Sequence, residues 1–127
     1  MTITEQKAAQ RKAGIAARRA LSDTERTHSN AALCARIMAL DCFKKAENIL
    51  LYAAFGGEAD LSALAVEAAR QGKTLAYPVC GEGFSLTAAV PGPDDWEVGA
   101  YGIRTPILSR SAVLPPDKLD LVLVPCT

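Results

Sequence analysis

The pattern of apolar and polar positions divides the chain into a helical N-terminal part and a strand-rich remainder. Thr2-x-x-Glu5 and Ser22-x-x-Glu25 both have capping-box spacing, in which a hydroxyl and a carboxylate satisfy the first free amides of a helix. They predict a helix over 6–20, rich in Ala, Arg, Lys and Gln, and a second over about 24–40. Leu33, Ile37 and Leu40 recur at helical spacing in the second and should face a core. The run "NILLYAAF" (48–55) then reads as a buried strand that turns at Gly56-Gly57. Asp60 caps a helix to about Gln71, with Leu61, Leu64, Ala65 and Ala68 on its inner face and Gly72 at its end. A strand over 74–79 completes a βαβ unit with parallel strands. Further strands are expected over 84–90 and 119–124, separated by a proline- and glycine-rich excursion carrying Trp96. The last run, "LDLVLVP", has the unbroken apolar character of a strand in the middle of a parallel sheet. Together these elements predict one α/β domain over 1–127, a three-layer, largely parallel open sheet with flanking helices.

Composition changes this picture little. The chain has 127 residues, is 50% hydrophobic and 22% charged, and carries a formal net charge of +0, which gives no global field toward nucleic acid or membrane. The charge is uneven, because residues 1–26 hold six basic and three acidic side chains. Cys34, Cys42, Cys80 and Cys126 show no C-x-x-C spacing and no zinc-type pairing with the lone His28. They read as reduced thiols of a cytoplasmic protein, with no metal site. Neither a signal peptide nor a run of roughly 18 apolar residues is visible.

Three places carry candidate chemistry. Lys7, Arg11 and Arg18 fall within about 40° of one another around a helix, and Gly14 leaves a gap on the same stripe. Such a row suits a polyphosphate, with Lys as a mobile point charge and Arg as a fork. On spacing alone, a solvated basic face is the stronger reading, since no Walker A or G-x-G-x-x-G loop accompanies the row. In the turn "YAAFGGEAD", beyond the carboxyl end of a parallel strand, Glu58 is placed to pair with the N–H edge of a heterocycle stacked on Phe55. It is equally placed to complement the dipole of the next helix. Trp96 and Tyr101 can wall a pocket or pin an ordinary loop. His28 has no partner at ligand spacing, and Ser22 is a cap.

Taken in order, "KAAQR", "RRALS", "ER", "ILLYAAFGGEAD", "GKTLAYP", "GIRTP" and "LDLVLVP" resemble the 5-formyltetrahydrofolate cyclo-ligase family, also called 5,10-methenyltetrahydrofolate synthetases, over essentially the whole chain. The resemblance implies an ATP- and Mg2+-dependent enzyme that converts 5-formyltetrahydrofolate to 5,10-methenyltetrahydrofolate, releasing ADP and phosphate. It implies that Lys7 and Arg11 contact ATP, that Glu58 binds folate, and that Ala53 and Phe55 line the same pocket. A small-molecule substrate, no nucleic acid and no membrane partner are expected, with a monomer if the chain is complete.

Two positions depart from the family pattern. Thr105 stands where a glutamate commonly precedes the proline of "GIRTP". The glycine-rich R-L-G-x-G-x-G-Y-Y-D type of segment, which in the family cradles ATP phosphates and supplies a metal-binding Asp, does not occur in these residues. The expectation is therefore an N-terminal portion of a cyclo-ligase, holding half the ATP contacts and much of the folate wall, with little activity alone. The alternative is a noncatalytic folate-binding module, or a half-site completed by a second chain. A basic-helix nucleic-acid binder is disfavoured by the balanced net charge.

Overall fold

The computed structural model describes residues 1–83, 85–99 and 102–125. Both capping boxes form. Thr2 and Glu5 open α1 (Ile3–Arg19), and Ser22 and Glu25 open α2 (Asp23–Met38), each pair with reciprocal hydrogen bonds to the other's backbone amide. A short α3 (Asp41–Lys45) leads into β1 (Asn48–Leu50), and α4 (Ser62–Arg70) carries the chain to β2 (Thr74–Cys80). After these come β3 (Leu86–Val90), β4 (Trp96–Val98), β5 (Arg104–Pro106), β6 (Ala112–Leu114) and β7 (Leu121–Val122).

The main sheet has the order β6-β3-β2-β1-β7. Its core is parallel: β1 pairs with β2 from Asn48↔Thr74 to Leu50↔Ala76, and with β7 through Ile49↔Leu121 and Leu50↔Val122. β3 and β6 extend it in antiparallel sense, and β4 with β5 forms a separate antiparallel ribbon. This is the helix-flanked α/β sheet expected from the βαβ spacing.

The first strand is shorter than its apolar run. Pairing ends at Leu51, whose amide donates to the Ala76 carbonyl at 2.8 Å, and 52–55 leave the sheet to form the rim of a cleft. Likewise only Leu121 and Val122 of the last apolar run are strand. Leu121 and Leu123 pack on the core, whereas Val122 and Val124 point outward at 47% and 75% exposure, so among the described residues this strand is covered on one face.

The core lies between α2, α3, α4 and the sheet, where Cys34, Phe43, Ile49, Leu51, Leu64 and Ala68 are all buried. The inner face expected of α4 is borne out: Leu61, Leu64 and Ala68 are buried and Ala65 is half-buried. In α2 the expectation needs correction. Ile37 packs on the core, but Leu33 and Leu40 are exposed. Cys34 is the buried residue of α2, and Phe43 of α3 is buried in the same core. The chain leaves α2 at Ala39, so Leu40 sits at the N-cap of α3, outside the helical stripe.

Candidate functional site

A cleft of about 280 Å³ opens beyond the carboxyl end of β1, beside Tyr77 in β2. In an open α/β sheet that is where the strand ends leave a crevice. One wall is the stretch after β1, including Tyr52, Ala53 and Phe55. The start of α4 forms a second side through Leu61, Ser62 and Ala65. The third is aromatic: Tyr77 of β2 meets Trp96 of β4 edge-to-face, with ring centroids 4.7 Å apart. Arg104 of β5 closes that side and stacks over the indole at 4.9 Å. Its placement follows from register. Val98 pairs with Arg104 and Trp96 with Pro106, so side-chain alternation puts Trp96 and Arg104 diagonally on one face of the ribbon.

The Gly-Gly turn shapes the first wall. Gly56 and Gly57 take φ of +62° and +80°, a conformation that a side chain makes costly. Glu58 holds the bend, because its Oε1 accepts the Phe55 amide at 3.0 Å and its own amide donates to the Phe55 carbonyl. Nearby, the Tyr52 hydroxyl donates to the Ala59 carbonyl at 2.8 Å. Asp60 accepts from both the amide and the hydroxyl of Ser62, which lowers its pKa, the hydroxyl contributing most. Asp60 thus caps the first turn of α4 from one position outside it. Burial raises the Tyr77 phenol, and the positive charge of Arg104 partly offsets this.

Of the residues singled out from sequence, Ala53, Phe55 and Trp96 line the cleft. Glu58 is half-buried in the same turn but is not among the lining residues; its contact is with the backbone of Phe55. Tyr101 and Cys126 lie outside the described residues. Lys7 and Arg11 are exposed on α1, where Arg11 shares a shallow apolar-floored groove with Ala8, Ile15 and Ala16. Neither lines the cleft.

Sequence reasoning missed the link between α1 and the turn. Arg26 of α2 donates from Nη2 to the Arg18 carbonyl at 2.9 Å and from Nε to that of Leu21. A Cβ on Gly57 would stand 2.8 Å from Arg26 Nη1 and 3.5 Å from Arg18 Cγ, so the basic end of α1 lies directly against the turn. The Arg18 Nε is buried there and has no hydrogen-bond partner among the described residues. Tyr77 and Arg104 were also missed as lining residues, because the stretch carrying Arg104 was read as an excursion and not as the strand β5.

The described residues bring together no group of three or more His, Cys, Asp or Glu suited to a metal ion. Among them no helix is long and apolar enough to cross a membrane.

Comparison with known proteins adds to this geometry. The model of the 5-formyltetrahydrofolate cyclo-ligase family matches residues 3–127. The chain is similar to the 5,10-methenyltetrahydrofolate synthetase of Aquifex aeolicus, at 29% identity and a TM-score of 0.79, over 93% of this chain and 59% of that one. It shares the fold of the 5,10-methenyltetrahydrofolate synthetase of Mycoplasma pneumoniae, at 17% identity and a TM-score of 0.71, over 94% of this chain and 63% of that one. It therefore spans about three-fifths of the length of these solved structures. No curated protein matches the sequence.

Proposed function

The chain belongs to the 5-formyltetrahydrofolate cyclo-ligase family, and on that premise we propose that its cleft holds 5-formyltetrahydrofolate for ATP-dependent closure to 5,10-methenyltetrahydrofolate in the cytoplasm. One observation carries the reading: the crevice beyond the carboxyl end of β1 combines an aromatic wall, Tyr77 and Trp96, with the Phe55 turn. A flat, conjugated ligand with polar edges suits such a space. Phe55 offers a stacking face, and Ala53 leaves room beside it. Glu58 is the carboxylate nearest in sequence to that face; Oε1 fixes the turn, while Oε2 remains for an N–H edge of the ligand.

In the proposed reaction the formyl carbon on N5 is attacked by N10, N10 gives up its proton to solvent, and the formyl oxygen departs as phosphate, leaving the N5–C–N10 cation. ATP, when bound, supplies the phosphoryl group that makes this oxygen a leaving group. The protein's part is to exclude water and hold N10 against the formyl carbon, since proximity and orientation supply much of the rate in such ring closures. Lys7 and Arg11 are assigned to the phosphate end, because both are exposed cations one helical turn apart on α1, and Arg11 borders an open groove there. The described residues gather no cluster of three or more metal-ligating side chains, and no step is assigned to the metal.

The test is twofold. Calorimetry of the chain with 5-formyltetrahydrofolate should show saturable binding that Glu58→Gln weakens roughly tenfold or more. Methenyltetrahydrofolate absorbance in the presence of ATP and Mg2+ then reports turnover. Undetectable folate binding would refute the cleft as its site.

A further inference from the structure

We propose that Arg104 is a specificity residue that pairs with the carboxylate tail of the ligand in the cleft, so that the site selects folates by the charge of their glutamyl end. This rests on the folate reading above and adds the part of the substrate recognised.

Among the described residues lining the cleft, two are charged, Asp60 and Arg104. Asp60 accepts the amide and the hydroxyl of Ser62 through Oδ1. Arg104 has no carboxylate within ion-pair distance among the described residues, in contrast to Arg70 with Glu67 and Arg110 with Asp95. Among the described residues the cleft thus holds a cation that has an aromatic neighbour but no ion-pair partner. The cation is also positioned. Trp96 holds the guanidinium by its flat face, which leaves the N–H edge of the fork for a planar anion. Arg104 is itself exposed while lining the cleft, so it can meet a charged group at the solvent side of a bound ligand. The effect of Arg104 on the Tyr77 phenol indicates that its charge is felt within the cleft. A carboxylate is the group that matches such a fork in shape and sign.

The experiment compares 5-formyltetrahydrofolate with its tail diamide, which keeps the pterin and benzoyl groups but carries no negative charge. Binding is read by Trp96 fluorescence, as Trp96 is the sole tryptophan. The wild type should prefer the acid by roughly five- to tenfold, shrinking with added salt. Arg104→Gln should bring acid and diamide to equal affinity, and Arg104→Lys should restore part of the preference. Equal wild-type affinity for acid and diamide, or a preference that survives Arg104→Gln, would overturn the assignment and leave the folate reading standing. Failure of both ligands to bind would overturn both.

Discussion

Arg26 and Gly57 meet where the two N-terminal helices touch the Gly-Gly turn: the Arg26 guanidinium, bonded to the Arg18 carbonyl, occupies the space that a side chain at Gly57 would need. The turn that carries Phe55 and Glu58 is therefore buttressed by the same arginine that closes the α1–α2 corner. The helix bearing Lys7 and Arg11 has no buried residue of its own, so this corner is one of its attachments to the rest of the domain.

Substitution at the two turn glycines separates backbone strain from contact. Gly56 and Gly57 both have positive φ, but only Gly57 has neighbours within 4 Å of a built Cβ. Gly56→Ala should destabilise by about 1 kcal/mol from backbone strain alone. Gly57→Ala should cost more, because Arg26 must withdraw from the Arg18 and Leu21 carbonyls to clear the methyl. Urea unfolding of the two variants measures the difference, and equal losses would contradict the buttress.

The core substitutions follow the corrected packing. Phe43→Ala should cost about 3–5 kcal/mol and Leu64→Ala about 2–5, since both side chains are buried. Leu40→Ala, at a site 52% exposed, should change stability by less than about 1 kcal/mol. Chemical denaturation ranks the three.

Asp120 ties the start of β1 to the approach to β7, accepting the amides of Asn48 at 2.9 Å and Glu47 at 3.0 Å. These bonds, that from Asn48 first, lower its pKa. A carboxyl depressed on folding stabilises above its unfolded value and loses that contribution as pH falls through the folded value. The thermal midpoint should therefore fall with acidification below about pH 4. Asp120→Asn should lie lower at neutral pH and show a shallower acid decline. Parallel pH profiles would refute the assignment.

Lys7 and Arg11 are exposed, so reversing their charge tests binding apart from folding. Lys7→Glu and Arg11→Glu should leave the unfolding midpoint within about 0.5 kcal/mol of wild type. Each should weaken ATP binding, measured calorimetrically, by roughly tenfold.

Much of this molecule is legible in its sequence because local chemistry agrees with the fold. The two capping boxes, the α4 inner face and the βαβ unit rest on short-range rules, and the structure reproduces each one. Element ends were less legible: 48–55 and 119–124 read as continuous strands, yet backbone pairing decides where each strand stops, and partners are not written in hydropathy. Leu40 misled because helical periodicity was extended past the break at Ala39. At the cleft, Phe55 and Trp96 were visible as aromatics near turns. Tyr77 and Arg104 were not, since their convergence depends on how the β4–β5 ribbon lies beside β2.

The central claim is that the cleft between the Phe55 turn and the Tyr77–Trp96 pair is the folate site. Its most direct measurement is a titration of the isotopically labelled chain with 5-formyltetrahydrofolate, followed by amide and indole NMR shifts. The account predicts saturable shifts, with one common affinity, at the amides of Ala53 and Phe55 and at the Trp96 indole N–H. Absence of shifts at these three positions, or saturable shifts confined to other surfaces, would contradict it.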